Sequence, residues 1–136
     1  MDKMKLAIVG SLSKHFSPDE ELLVRGTIRL FLEQLRPQAI VSGGADGVDT
    51  WAEEEARRLG IEPIIFRPAG VGWKYYKPRN LLIAKEGTHF LRFWSEHSRT
   101  YGSGWTVDRA RLMGKPVLSY RIGPSNPGMV ADANGN

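Results

Sequence analysis

Apolar and polar positions along the chain alternate between two rhythms. Lys5-Leu6-Ala7-Ile8-Val9-Gly10 is a short apolar run closed by glycine and predicts a buried strand. Ser17-Pro18-Asp19-Glu20 then predicts a helix start, with Ser17 as cap, Pro18 at the first helical position and Glu20 closing a capping box. Val24, Ile28, Phe31 and Leu35 recur at the spacing of a core-facing helical stripe, and Pro37 stops the helix. The unit then repeats. Ala39-Ile40-Val41 reads as a strand, and Val48, Trp51, Ala52, Ala56 and Leu59 share one face of the helix after it. On that helix Glu53 and Glu54 precede Arg57 and Arg58 by four residues, the spacing of helical ion pairs. Pro63-Ile64-Ile65-Phe66 is a third strand, followed by an irregular stretch from Arg67 to Lys77 and a short helix from Pro78 to Lys85. His89 to Trp94 is a fourth strand, Thr106 to Met113 a helix, and Pro116 to Tyr120 a fifth strand.

Strands alternating with helices predict an α/β, Rossmann-like three-layer sandwich: a mainly parallel five-stranded sheet with helices on both faces. Residues 1–122 form the expected domain; residues 123–136, rich in Gly, Pro, Asn and Ala, read as a disordered tail. In such sheets ligands sit beyond the carboxyl ends of the strands, near the switch in strand order, so the loops after strands one to four are the ones to inspect.

After strand one, Gly10-Ser11 offers a close turn, a hydroxyl and amides that could hold an anion. After strand two, Ser42-Gly43-Gly44-Ala45-Asp46-Gly47-Val48-Asp49 carries three glycines at a strand-to-helix junction. Bare amides at a helix N-terminus favour phosphate, while Asp46 and Asp49 could cap the helix or bind ribose hydroxyls. After strand three, Trp73 and Tyr76 lie among cations, with Arg79-Asn80 next. Rings and guanidinium suit a base plus a phosphate, although the rings could equally pack the loop down. After strand four, Ser103, Gly104 and Thr106 form a second small-residue bend into a helix, with Asp108 in its first turn, where a carboxylate also helps the helix dipole. Neither a G-x-G-x-x-G fingerprint nor a P-loop is present, which disfavours ordinary dinucleotide binding and P-loop ATP hydrolysis.

Charge sharpens this. Residues 1–66 hold 8 basic and 11 acidic side chains, whereas residues 67–121 hold 11 basic and 3 acidic, so the second half is strongly positive and suited to an anionic partner. The chain has no cysteine, which excludes a disulfide framework, a thiolate metal site and a thiol nucleophile. No two histidines stand at ligand spacing, so neither a metal nor a cofactor is expected. No run is long enough for a membrane span or a signal-peptide core, and a cytoplasmic protein is expected.

The stretch Ile40 to Asp49, then Ala52, Ala56 and Gly60-Ile61, then Trp73, Arg79-Asn80, Ser103-Gly104-Trp105-Thr106 and Gly114-Lys115-Pro116-Val117, resembles the SLOG superfamily, in particular its YspA-like branch, over about residues 5–121. That superfamily includes phosphoribohydrolases that split nucleoside monophosphates (the LOG proteins), the single-strand-binding DprA proteins, and nucleotide sensors. The resemblance implies a Rossmann-like fold and a nucleotide-like phosphorylated small molecule as ligand. The loop reading assigns its contacts to Gly10, Ser11, Gly43, Gly44, Ala45, Asp46, Gly47, Asp49, Trp73, Tyr76, Arg79, Asn80, Ser103, Gly104 and Thr106. Hydrolase activity as a nucleotide N-glycosidase would fall to Asp49 and Asp108. The phosphoribohydrolase motif P-G-G-x-G-T-x-x-E ends in a glutamate where this chain has Arg109. The alternatives are a single-stranded nucleic-acid-binding module and a non-catalytic nucleotide sensor. A homodimer or higher oligomer is implied by the resemblance alone.

Overall fold

A computed structural model describes residues 3–132. In chain order it contains β1 (Lys5–Gly10), a 3-10 turn (Ser13–His15), α1 (Pro18–Leu35), β2 (Ala39–Ser42), α2 (Val48–Arg58), β3 (Glu62–Ile65), α3 (Trp73–Glu86), β4 (His89–Ser95), α4 (Gly102–Leu112) and β5 (Val117–Ile122). The five strands form one parallel sheet in the order β3-β2-β1-β4-β5. From β1 the chain first builds outward through β2 and β3, then returns to the other side of β1 with β4. The loops after β1 and β4 therefore part at the carboxyl edge, which opens a crevice there.

Strand alternation sorts the core into two halves. Leu6, Ile8, Ile40, Leu91 and Phe93 face α1 and α2, meeting Val24, Ile28, Leu32, Trp51, Ala52 and Ala56. Ala7, Val9, Val41 and Phe90 face α3 and α4, meeting Ile83, Val107 and Ala110. Three layers follow from this two-sided burial. Ser17 caps α1 as its sequence requires: Glu20 N–H donates to Ser17 Oγ at 3.1 Å, and Ser17 N–H donates to Glu20 Oε1 at 2.8 Å.

Several local expectations shift. The buried stripe of α1 is Val24, Ile28 and Leu32; Phe31 is only half-buried and Leu35 is exposed. The ion pairs expected within α2 are replaced by longer-range contacts, because Glu53 turns inward to accept from Ser42 Oγ at 2.6 Å and Glu54 accepts from Arg25 of α1 at 2.7 Å. Helix α3 starts at Trp73 rather than Pro78. Gly72, at φ +113°, makes the turn, and Pro78 sits early enough in the helix to cost only one backbone bond. Helix α4 starts at Gly102 rather than Thr106, so the bend read as loop is its first turn. Residues 123–132, assigned to a tail by composition, turn back on β5, with a bridge between Tyr120 and Ala131 and a bond from Asp132 N–H to Ser119 O. Residues 133–136 lie outside the described residues. Among the described residues no helix is long and apolar enough to cross a membrane.

Gly10 closes β1 where β4 and α2 press closest. A Cβ there would collide with the Phe93 carbonyl oxygen and lie 2.6 Å from Val48 Cγ2. Gly26, on α1, has nothing within 4 Å of that position. Gly10→Ala is therefore expected to destabilise by about 2–3 kcal/mol or more through overpacking against backbone. Gly26→Ala should instead stabilise by about 0.5–1 kcal/mol through helix propensity. Urea unfolding of both variants checks the pair.

Candidate functional site

The bends after β1 and β2 are zipped together at the carboxyl edge. Ser13 N–H donates to Asp46 O at 3.0 Å, Val48 N–H to Ser11 O at 3.3 Å, and Ser13 Oγ to Asp46 Oδ2 at 2.7 Å. Gly47, at φ +137°, permits this, since a Cβ would lie 2.5 Å from Ser11 O. Ser11 also braces β1 to β4. Its N–H donates to Phe93 O at 3.1 Å and its Oγ accepts from Ser95 N–H at 2.9 Å.

This corrects the expectation of bare amides after β2. Gly44 N–H donates to Ser42 Oγ, Ala45 N–H to Asp49 Oδ2, Gly47 N–H to Thr50 Oγ1 and Val48 N–H to Ser11 O. These four amides are satisfied internally, so this part of the bend shapes a wall and does not offer a row of donors. At α4 the opposite holds. No side chain caps that helix, and the amides of Gly102, Ser103 and Gly104 meet no acceptor among the described residues.

Arg79 and Asn80, in the second turn of α3, join the two bends. Arg79 donates through Nη1 to Gly43 O at 2.6 Å and through Nε to Asn80 Oδ1 at 2.7 Å. Asn80 Nδ2 donates in turn to Gly102 O at 3.4 Å, and Thr106 Oγ1 donates to the same oxygen at 3.0 Å. The Arg79 guanidinium lies 5.6 Å from the centre of the Tyr76 ring. A Cβ on Gly43 would sit 2.7 Å from Arg79 Nη1 and 3.0 Å from Asp49 Oδ2, so glycine alone lets cation and carboxylate flank the backbone there.

Asp49 is buried at this wall. Burial pushes its carboxyl up to about 7; the amide of Ala45 and the Arg79 guanidinium pull it down, and the nearby Glu53 carboxylate adds to the rise. Burial lowers Arg79, against the attraction of Asp49.

These groups open onto one cavity of about 730 Å³. Gly10, Ser11, Gly43, Gly44, Ala45 and Asp49 line it from the sheet side, and Trp73, Tyr76, Arg79 and Asn80 from α3. Ser103 and Thr106 line it from α4. Four of the sequence-selected residues lie elsewhere. Asp46 and Gly47 are spent in the zipper between bends. Gly104 packs beneath the Tyr101 ring, where no Cβ would fit. Asp108, read as a candidate catalytic group, is outside the lining, with Oδ2 accepting from Tyr101 Oη at 2.7 Å and Oδ1 from Arg111 at 2.9 Å. Conversely, the lining includes Leu12, Pro68, Ile83, Thr100, Tyr101, Gly102 and Trp105, which were not among the ligand contacts selected from the sequence. Tyr101 and Trp105 flank the small-residue bend at the spacing of one helical turn, a signal visible once α4 is known to start at Gly102. Trp105 meets Trp73 edge-on, with ring centres 5.6 Å apart, and so roofs α3 to α4.

No protein-family model matches the chain, and no curated protein sequence matches it. Among solved structures, it is similar to DNA processing protein A (DprA) from Streptococcus pneumoniae, at 24% identity and a TM-score of 0.69, over 93% of this chain and 53% of that one. It is also similar to the DprA of Helicobacter pylori, described for its single-stranded DNA binding mode, at 17% identity and a TM-score of 0.57, over 85% of this chain and 65% of that one. A third similarity is to the molybdenum cofactor carrier protein of Chlamydomonas reinhardtii, at 15% identity and a TM-score of 0.60, over 87% of this chain and 76% of that one. The chain thus spans about half the length of the pneumococcal DprA chain. These likenesses show the fold: an all-parallel, Rossmann-like sheet.

The Asp49 carboxyl makes the site's electrostatics measurable in the free protein. The folded state holds this proton up to about pH 7, whereas a free carboxyl releases it near 3.8. Between those values the folded protein binds more protons than the unfolded chain, so its stability falls as pH rises through the window. Asp49→Asn should remove that fall, and at pH 8 should exceed the parent protein by on the order of 2–4 kcal/mol. Urea midpoints across pH 4–8 test this.

Proposed function

We propose that this domain binds a nucleotide or nucleotide derivative, with its phosphate between Arg79 and the first turn of α4 and its base against the aromatic roof. The observation that carries the reading is the Arg79–Asn80 bridge, which brings a guanidinium and the unpaired amides of Gly102 and Ser103 to one cavity. Cation and helix N-terminus attract the same charge. Trp73, Tyr76, Tyr101 and Trp105 offer ring faces to a planar base, and a volume of about 730 Å³ falls within the usual range for a small-molecule site. Asp49, the only carboxylate in the lining, can accept from a ribose hydroxyl when ionised.

A second reading, single-stranded nucleic acid, is supported by the rim. Trp73 is 46% exposed and Tyr101 55%, and Lys74, Lys77 and Arg99 lie close to them in sequence. It predicts affinity for an oligonucleotide that falls steeply between 50 and 200 mM salt, by about 300-fold if six phosphates are neutralised.

Calorimetry with nucleoside monophosphates, ADP-ribose, cyclic nucleotides and a thymidine oligonucleotide separates these readings. Arg79→Met is expected to weaken nucleotide binding at least tenfold, consistent with losing a charge-assisted hydrogen bond. Affinity should also fall as pH rises from 7 to 9, because ionised Asp49 repels the phosphate; Asp49→Asn should flatten that slope. Chromatography of the same mixtures decides turnover. Released base would make the domain a nucleotide N-glycosidase acting through Asp49, and unchanged nucleotide would leave it a sensor or carrier. Failure of every ligand to bind would overturn both readings.

A further inference from the structure

Arg92 is an arginine in the middle of a central strand, where the alternation of β4 calls for an apolar side chain. It lies between Phe90 and Trp94 on the face that packs against α3 and α4, and it is 3% exposed. Among the described residues it forms no ion pair: no carboxylate comes within 4 Å. Its guanidinium is held between two rings, 5.0 Å from the centre of Trp94 and 5.5 Å from that of Tyr101. Its Nε–H donates to Ser103 Oγ at 2.9 Å. Burial lowers it to about 10, a value at which it still carries its charge near neutrality, helped by the more distant Asp108 and Asp132 and opposed by Arg111.

Two consequences follow from elementary hydrogen bonding. A guanidinium can only donate, so Ser103 Oγ must accept from it. The hydroxyl proton of Ser103 is then left to point elsewhere, and it meets no acceptor among the described residues. Ser103 lines the cavity and Arg92 does not. Ser103 therefore faces the cavity as a donor, beside the three unpaired amides of the same helical turn. A buried positive charge without a near counter-ion is costly, and an anion at this turn would supply the missing partner.

We propose that Arg92 is a positioning and specificity residue. Acting through Ser103, it turns the α4 end of the cavity into a donor-only subsite for a phosphate-like anion, and it makes the site prefer phosphorylated ligands over their neutral counterparts. The proposal rests on the nucleotide reading for the identity of the rest of the ligand, but not for the anion itself.

The test compares the parent protein with Arg92→Met, which keeps length and apolar bulk but removes the donor and the charge. The thermal midpoint is measured in inorganic phosphate against chloride at matched ionic strength. Dissociation constants are measured for a nucleoside 5′-monophosphate and for the nucleoside. Phosphate should raise the midpoint of the parent protein and raise that of Arg92→Met by less than half as much. The variant's preference for monophosphate over nucleoside should drop at least tenfold, with nucleoside affinity within twofold of the parent value. Arg92→Lys, which restores the charge, should recover part of the preference. Should Arg92→Met fail to fold, Ser103→Ala carries the comparison, with an expected loss of preference of threefold or more. Equal stabilisation of both proteins by phosphate, no stabilisation of the parent protein, or an equal weakening of nucleotide and nucleoside would overturn the proposal. If phosphate acts through Arg92 while no nucleotide binds, the nucleotide reading fails and the anion subsite stands.

Discussion

One side-chain pair holds the site together. Arg79 donates to the carbonyl of Gly43 on the β2 side, and Asn80 donates to the carbonyl of Gly102 on the α4 side, while Arg79 Nε donates to Asn80. The parallel sheet parts its loops at the carboxyl edge, and this relay reconnects them. It donates to backbone oxygens, so it fixes main-chain positions and leaves the α4 amides unpaired. Losing Arg79 would leave both the Gly43 carbonyl and Asn80 Oδ1 without this donor, a penalty larger than the net value of the bonds themselves, whereas losing Asn80 leaves the Gly102 carbonyl with Thr106 Oγ1.

The charges around the cavity are arranged asymmetrically. On the sheet side Arg79 is balanced by Asp49, and the amides of Gly44, Ala45 and Gly47 are already spent. On the α4 side Arg92 lies buried with no carboxylate near it, and the helix N-terminus adds its own positive end. A ligand meets a compensated wall and an uncompensated one. Attraction for an anion is concentrated at the second, while the first supplies shape and an acceptor. The aromatic pair Trp73–Trp105 closes the gap between α3 and α4 above both.

Much of this was legible in the residues. Short apolar runs closed by glycine marked the strands, the Ser17–Glu20 box marked the start of α1, and the alternation of strands and helices gave the parallel sheet. Gly10, Gly43 and Arg79-Asn80 were singled out, and they line one cavity, because loop position at the sheet edge is fixed by topology. Other features were hidden for physical reasons. Gly102-Ser103-Gly104 has the composition of a loop but is helical because Gly104 lets the Tyr101 ring lie against it. Glu53 looked like a surface ion-pair partner, yet it is buried against Ser42. Arg92 sits in a strand whose pattern predicts an apolar residue, and only the packed neighbours show that rings and a hydroxyl receive it. Donor exhaustion in the β2 bend could not be read either, since hydrogen-bond partners from Ser42 and Asp49 depend on the folded geometry.

Nitrogen-detected chemical shifts offer the most direct test of the relay and the wall it leaves open. Titrating a nucleoside monophosphate into labelled protein should move the amides of Gly102, Ser103 and Gly104 together with Arg79 Nε along one binding curve, while the amides of Gly44 and Gly47, already engaged, move little. Shifts confined to α1 and α2, where Arg25 and Arg57 line a separate groove, or large shifts at Gly44 and Gly47 with none at the start of α4, would contradict this account.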